Sequence, residues 1–160
     1  MKKYLQKKLN NEKGMTLIEL LAVIVIIAII AAIAIPAIGN VIENSKYSAA
    51  KSDALNTLSA ANIYFAENPT KTTVTTATLK AGYLDNAGKI PVTLVGTEAV
   101  PTSNFIAKNT AGELEITTNA FVYSGTKTLA FSGATVAEIN SDADVQKGSD
   151  ANNKTVPKTN

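Results

Sequence analysis

A single carboxylate, Glu19, stands near the start of a long apolar run in this chain. The run extends from Met15 to Ile38 and follows Lys13 and Gly14. A carboxylate at membrane depth is costly, and such groups usually have a partner. If the chain were cut between Gly14 and Met15, the new α-amino group of Met15 would lie one helical turn from Glu19. An ammonium group and a carboxylate would then share one membrane depth, and one could neutralise the other.

The apolar run is long enough to cross a lipid bilayer as a helix. Residues 15–38 make about 36 Å of helix at about 1.5 Å per residue. Lysines precede the run, and under the positive-inside rule they hold the N-terminus in the cytoplasm; they are Lys2, Lys3, Lys7, Lys8 and Lys13. The remainder of the chain is therefore expected to be exported.

Three processing routes are compatible with this run when the residues are considered alone. It could serve as an uncleaved signal anchor, or as a secretory signal peptide cut after the A-x-A box at residues 32–34. Neither of these routes explains Glu19. The third route, cleavage between Gly14 and Met15, gives the carboxylate a partner. The first residue of the mature protein separates the routes, because ordinary secretion would leave Ile35 there.

The residues around this junction resemble the N-terminal signature of type IV prepilins over about residues 12–40. The signature combines a basic leader, a glycine, Thr-Leu-Ile-Glu and a distant proline, here Lys13-Gly14-Met15-Thr16-Leu17-Ile18-Glu19-Leu20-Leu21 and Ala34-Ile35-Pro36-Ala37. The resemblance implies that a prepilin peptidase cuts after Gly14 and that its partner activity N-methylates Met15. It also implies that Glu19 pairs with the Met15 amine of a neighbouring subunit and sets its axial register. The family prefers Phe at the position of Met15, and Met is also large and apolar.

The same resemblance implies a structural subunit rather than an enzyme. The subunit would form a homo-oligomer, the helical filament of a type IV pilus, through an assembly platform and its ATPase, for adhesion, twitching motility or biofilm formation. It would be a single-pass protein of the cytoplasmic membrane before assembly and part of the cell surface afterwards. The alternatives are a major pseudopilin of a type II secretion or competence (DNA uptake) machine and, from another class, a membrane-anchored exported enzyme or binding domain. The lack of a Cys pair and the long Lys-rich leader favour a Gram-positive major pilin.

The composition excludes several kinds of site. The chain has 160 residues with no Cys, no His and no Trp, and all 15 basic residues are Lys. A Cys–His pair and a Ser-His-Asp triad therefore lack their residues, as does a structural zinc site, and no cofactor or metal is expected. Without residues 1–14 the body carries 10 Lys and 12 acidic residues. It lacks the broad basic face that non-specific nucleic-acid binding requires, so no nucleic-acid partner is expected.

The apolar run is predicted to continue into an amphipathic helix. Pro36 removes one helical hydrogen bond, and Gly39 adds a second weak point. Beyond them an apolar stripe recurs at helical spacing, with charged residues on the opposite side; the stripe is Tyr47, Ala50, Ala54, Leu58, Ala61 and Phe65, and the charged residues are Glu43, Lys46, Lys51 and Asp53. Asn68-Pro69 ends the pattern. One helix is therefore expected from Thr16 to about Ala66.

These elements predict an α+β fold, in which a long N-terminal helix packs on a small antiparallel β-sheet. The expected organisation is a leader (1–14), a hydrophobic membrane and assembly helix (15–38) and a globular head (39–160). Within the head we expect a connecting loop at 67–91, a sheet at 92–139 and a loosely ordered polar tail at 140–160.

Local patterns predict the elements inside the head. Thr76 is expected to cap a short helix ending at Gly82, after which Tyr83 and Leu84 pin the loop to the core. Strand patterns occur at 92–95, 114–117, 120–124 and 128–131, and Gly125-Thr126-Lys127 indicates a hairpin turn between the last two.

The tail contains acidic residues that could be mistaken for a calcium loop. Asp142, Asp144 and Asp150 are spaced as if to bind a cation, but Lys147 stands where an EF-type loop needs glycine. Metal binding is therefore not expected there.

Overall fold

The computed structural model describes residues 2–93, 95–96, 101–141 and 153–156 of the chain. The chain divides into two compact units, Met1–Val41 and Ile42–Asn160. We call the second unit the head. A single helix, α1, spans Lys2–Glu67, and its residues 42–67 belong to the head.

Helix α1 begins earlier than predicted and ends where predicted. It includes residues 2–15, whereas the sequence led us to expect a start at Thr16. These residues include five Lys, two Leu, one Gln and one Glu, which are strong helix formers, and no proline. At the other end, the backbone and side-chain amides of Asn68 donate to the Tyr64 carbonyl at 2.9 and 3.0 Å. Pro69 follows and prevents further helix.

In its described part, the head adds two short helices and nine short strands to α1. The helices are α2 (Thr76–Gly82) and α3 (Val136–Ser141). The strands are β1 (Thr73–Thr75), β2 (Val95–Gly96), β3 (Pro101–Ser103), β4 (Phe105–Lys108), β5 (Leu114–Thr117), β6 (Phe121–Ser124), β7 (Lys127–Phe131), β8 (Ala134–Thr135) and β9 (Asn153–Val156).

The strands form three small sheets, and every pair except β7–β9 is antiparallel. The largest sheet has the order β1-β4-β5-β8, the second pairs β2 with β3, and the third has the order β6-β7-β9. The strands predicted at 114–117, 120–124 and 128–131 are present as β5, β6 and β7. The hairpin between β6 and β7 is also present, with Gly125 at φ +56° in its turn. The α+β fold is therefore confirmed, with several small sheets in place of one.

The limits predicted for the sheet region are wrong at both ends. Strand β1 lies in the segment 67–91 that was expected to be a loop, and it pairs with β4. Strand β9 lies in the tail 140–160 that was expected to be loosely ordered, and it pairs in parallel with β7. The cause is non-local, because Val156 is buried and its carbonyl accepts a hydrogen bond of 2.8 Å from Ser132 N.

The predicted apolar stripe of α1 lies at the centre of the head core. Each of its six residues is at most 3% exposed. The sheets contribute Ile106, Ile116 and Leu129 to the same core, and each of these is fully buried. Lys51 departs from the prediction, since it is buried, with its ammonium group 5.8 Å from the centroid of the Tyr47 ring. Its aliphatic stem covers apolar surface while the ring faces the cation.

The connecting segment is attached to the core through α2. Thr75, one residue before the predicted cap, accepts a hydrogen bond from Thr78 N at 3.1 Å. Tyr83 packs against the core, and its hydroxyl donates to Glu67 Oε2 at 2.5 Å. This hydrogen bond to a carboxylate raises the pKa of the Tyr83 hydroxyl. Tyr83 and Leu84 are half-buried, which agrees with the predicted role in holding the loop.

Asn104 joins three segments of the head from a buried position. It adopts a left-handed backbone at φ +58°, a conformation that Asn tolerates better than most residues. Its side chain donates to Thr93 O and accepts from Asn119 N, both at 2.9 Å. Its carbonyl accepts a bond of 2.8 Å from Thr76 N, at the start of α2. The sequence gave no sign of this role, because every partner is distant along the chain.

An ion pair connects the β6–β7 hairpin to α1. Lys127 Nζ donates to Glu43 Oε1, and both side chains are about one-fifth exposed, at 20% and 23%. Beside it the rings of Tyr47 and Tyr123 lie 5.3 Å apart. Burial and the negative charge of Glu43 raise the pKa of the Tyr123 hydroxyl.

Asp53 attaches the end of the connecting segment to α1. Its Oδ2 accepts a hydrogen bond of 2.8 Å from Lys89 N. Gly88, at φ +59°, lies so close that a Cβ there would come within 2.0 Å of Asp53 Oδ2. Gly125 has a similar φ of +56°, but a Cβ there would meet nothing within 4 Å. Alanine at Gly125 would therefore introduce backbone strain alone, whereas alanine at Gly88 would introduce the same strain and a clash with Asp53.

We expect Gly88→Ala to destabilise the head by about 2–4 kcal/mol and Gly125→Ala by about 1 kcal/mol. Both alanines would adopt a left-handed backbone, but only the first would displace the Asp53 carboxylate from Lys89 N. The measurement is chemical denaturation of the detergent-solubilised chain followed by near-ultraviolet circular dichroism. In an Asp53→Ala background, Gly88→Ala should lower the free energy of unfolding by no more than Gly125→Ala does. An undiminished cost in that background would contradict the proposed clash.

Candidate functional site

All the predicted site residues lie on one element, α1. The predicted cleavage position (Gly14 and Met15), the predicted assembly carboxylate (Glu19) and the predicted weak points (Pro36 and Gly39) fall within Lys2–Glu67. Their spacing along the helix is therefore fixed by helical geometry, at about 1.5 Å per residue. Met15 and Glu19 are four residues apart, which places both backbones on one face of the helix, one turn from each other.

The large apolar side chains of the segment from residue 17 to residue 42 are exposed. Sixteen large apolar side chains in this segment are between 48% and 71% exposed. Its most apolar window of 18 residues has a mean hydropathy of 3.2, and none of that window is buried in the structure. By length and composition the helix can cross a membrane. Covering this surface would contribute on the order of 20 kcal/mol, at roughly 1.5–3 kcal/mol per fully buried side chain.

Glu19 is the only acidic residue of this exposed apolar segment. Its side chain is exposed, and the residues one turn ahead of it are Ala22 and Val23. No described side chain forms an ion pair with it. Once the surrounding surface is covered by lipid or protein, its carboxylate needs a cation or a proton.

The Gly14–Met15 peptide bond lies inside a helical stretch of backbone. A peptidase that cuts this bond would need access to the backbone, so the helix would first have to open locally. Glycine in a helix interior is about 1 kcal/mol less favourable than alanine, which lowers the cost of opening at this bond. Glycine also presents no Cβ to the enzyme.

Pro36 is accommodated within α1, and the assigned helix is not interrupted there. Because proline has no N–H, the carbonyl of Ala32 lacks its usual helical donor. Gly39 follows, and a Cβ at that position would meet nothing within 4 Å. We therefore still expect the helix to be weakest over these residues, and it is unbroken in the single chain.

The described residues contain no cluster of three or more His, Cys, Asp or Glu side chains able to hold a metal ion. The acidic residues considered for calcium, Asp142, Asp144 and Asp150, lie outside the described part of the chain. The sequence did not predict the roles of Asn104 and β9, which depend on contacts distant along the chain. It also did not predict the burial of Lys51, whose ammonium group lies over the ring of Tyr47 one helical turn away.

Comparison with protein families gives one match. The family described as the prokaryotic N-terminal methylation motif matches residues 9–35. The match includes Gly14, Met15 and Glu19 and ends before Pro36, so it says nothing about the head. Neither the curated proteins nor the solved structures contained a match to the chain.

We expect the mature protein to begin at Met15, with a methyl group on its nitrogen. Intact-mass measurement of the purified mature subunit tests this directly. Gly14→Glu should block processing and leave the precursor in the membrane, because a charged side chain obstructs the approach of the peptidase to the backbone. Gly82→Glu, at an exposed head position where a Cβ would meet nothing within 4 Å, is the control and should be processed normally.

A mature subunit that retains Lys13, or normal processing of Gly14→Glu, would contradict this cleavage position. A mature subunit beginning at Ile35 would instead indicate an ordinary signal peptidase.

We also expect the backbone from Ala28 to Pro36 to be the least rigid part of α1 after assembly. The unpaired carbonyl of Ala32 makes local unwinding cheapest there. A filament density map should show a break in helical density over these residues. Pro36→Ala should restore continuous density, since it returns the missing donor, whereas Gly39→Ala should not. Continuous helical density from Thr16 to Ala66 in the unmodified filament would contradict the expectation.

Proposed function

We propose that this chain, whose N-terminal methylation motif supports a type IV pilin-like or pseudopilin protein, is a structural subunit of a type IV pilus. It is inserted in the cytoplasmic membrane, cleaved after Gly14, N-methylated at Met15 and polymerised into a surface filament. The observation that carries this proposal is the coincidence of the motif with the exposed apolar segment of α1. The motif points to a structural protein, and processing by a prepilin peptidase follows from it.

The exposed apolar segment supports two alternative environments. In the membrane, lipid chains cover residues 17–42. In a filament, the same segments of neighbouring subunits cover one another. Lipid tails are as apolar as Leu and Ile, so the exchange gains little from the hydrophobic effect itself. Packing and polar contacts between subunits must therefore decide whether a subunit stays in the membrane or joins the filament.

Glu19 is the polar group best placed to favour the filament over the membrane. Cleavage after Gly14 would create an ammonium group at Met15, one turn away. Within one subunit the pair would share one depth. Between subunits, the carboxylate of one could meet the amine of the next only at one axial offset. In a low-dielectric filament centre, any other offset would leave both charges without a partner.

The remaining roles are also proposals. The subunit would meet a prepilin peptidase with its N-methyltransferase activity, then an assembly platform and an ATPase. Adhesion, twitching motility and biofilm formation are uses of the finished filament. A major pseudopilin of a secretion or competence machine shares the same N-terminal requirements. The absence of Trp and of an EF-type calcium loop in the sequence favours the pilus over the secretion pseudopilin.

We expect Glu19→Gln to allow export, cleavage and folding of the head but to stop or strongly slow filament growth. Each incoming subunit would bury an ammonium group without its partner, at a cost of roughly 3–5 kcal/mol. The measurements are the yield of sheared filaments and the amount of mature subunit in the membrane. Glu19→Asp should be intermediate, since it keeps the charge on a shorter side chain.

The matched control is Glu67→Gln, which removes a carboxylate at the far end of the same helix. Gln can still accept the Tyr83 hydrogen bond, so filament yield should be unchanged. A normal yield from Glu19→Gln would show that Glu19 only sets topology. Loss of the cleaved subunit from the membrane would place its role in processing.

A further inference from the structure

A polar groove lies beside strand β1, at the edge of the largest sheet. It has a volume of about 420 Å³, within the range of about 300–1,000 Å³ typical of small-molecule sites. The side chains that line it include Tyr64, Thr70, Lys71, Thr72, Thr73 and Thr78. The set is unusual, because hydroxyl groups dominate it and no carboxylate is present in it.

The backbone of β1 adds unpaired polar groups along this groove. Strand β1 is the outer strand of its sheet. On either side of it, Lys108 N donates to Thr72 O at 2.9 Å and Thr76 N donates to Asn104 O at 2.8 Å. By antiparallel alternation, the N–H and C=O groups of Thr73 therefore point away from β4, toward the open edge.

Several side-chain donors of the groove are also available. Within the described part of the chain, the hydroxyls of Thr70, Thr72 and Thr73 make no hydrogen bond to protein. Lys71 is exposed and is the only charged side chain of the lining. A ligand that matches this lining carries one negative charge and several hydroxyl groups.

Contacts within the head hold the wall of the groove in place without a ligand. The ring of Tyr64 lies edge-on to Phe65 and Tyr83, with centroids 5.5 and 5.4 Å apart. The hydroxyls of Thr75 and Thr78 bond each other at 2.8 Å. A preformed site loses less entropy on binding than a mobile one. Tyr64 also supplies the apolar surface on which sugar rings commonly rest.

A second, larger groove of about 850 Å³ is less suited to a charged ligand. It contains Glu67, Lys80 and Asp85 beside Ile63. Lys80 Nζ already donates to the Asp85 carbonyl, and Glu67 already accepts from Tyr83. Its charges are of both signs, and its best polar groups are occupied. The groove beside β1 is the one with unused donors and a single sign of charge.

We propose that the groove beside β1 binds an acidic sugar unit, such as a hexuronate or a sialic acid. The carboxylate of the sugar pairs with Lys71. Its hydroxyls bond the threonine hydroxyls and the open backbone edge at Thr73, and its ring lies against Tyr64. The head would thereby recognise acidic polysaccharides or glycans, a binding activity separate from filament formation.

The test is ligand-observed saturation-transfer NMR with the full chain in detergent micelles, titrated with glucuronate, N-acetylneuraminate, glucose and acetate. We expect at least one of the acidic sugars to bind with a Kd of about 1 mM, and glucose and acetate to bind at least about tenfold more weakly. Lys71→Gln should weaken acidic-sugar binding about tenfold, and Thr73→Val about threefold. Lys89→Gln and Thr102→Val change exposed residues of the same types outside the groove and should have no effect.

Several results would overturn the proposal. These are binding of neither acidic sugar, equal binding of glucose, equal binding of acetate, or acidic-sugar binding that survives Lys71→Gln unchanged. Filament formation by Lys71→Gln, measured by shearing, should equal that of the unmodified chain. Failure of this proposal is therefore distinguishable from failure of the proposed pilus function, which depends on Glu19.

Discussion

The exposed apolar surface of residues 17–42 is the constraint on which the rest of this structure depends. A surface of this size cannot remain in water, since its sixteen large side chains are about half or more exposed. It must be covered by lipid or by other proteins. The two parts of the chain therefore differ in what stabilises them. The apolar segment at residues 17–42 needs lipid or another protein around it, whereas the head folds around its own hydrophobic core.

The head is built from short elements that specific contacts hold together, rather than from one large sheet. The alanines at positions 50, 54 and 61 are fully buried, and small side chains let the strands approach α1 closely. Segments without regular structure are attached by polar groups, such as Asp53 at Lys89 N and Asn104 between Thr93 and Asn119. These contacts satisfy backbone groups that would otherwise be buried without partners.

The sequence predicted those features whose cause lies within a few residues. The stripe on α1 follows from helical spacing, the helix end from Asn68-Pro69, and the β6–β7 hairpin from a turn that contains Gly125. Strands β1 and β9 escaped prediction because each is short and owes its place to a partner at least 20 residues away, as the register shows. The reason differs for Lys51, because its contact with the Tyr47 ring lies one helical turn away. The prediction placed this lysine on the charged side of the helix, although its aliphatic stem can cover apolar surface. The groove beside β1 depends on the open edge of that strand, so it could not be predicted from the sequence either.

The residues proposed for processing and assembly were accessible from sequence for the opposite reason. Their function depends on distance along one helix, which four residues between Met15 and Glu19 define without any tertiary contact. Because these residues lie so close together on one helix, they can specify only a small part of the assembly. A carboxylate and an amine one turn apart can fix the axial offset between subunits, but they carry no information about which head is attached. Because lipid and protein would cover residues 17–42 almost equally well, in the proposed filament the charge pair would determine the register, while contacts between heads would determine the shape and the outer surface.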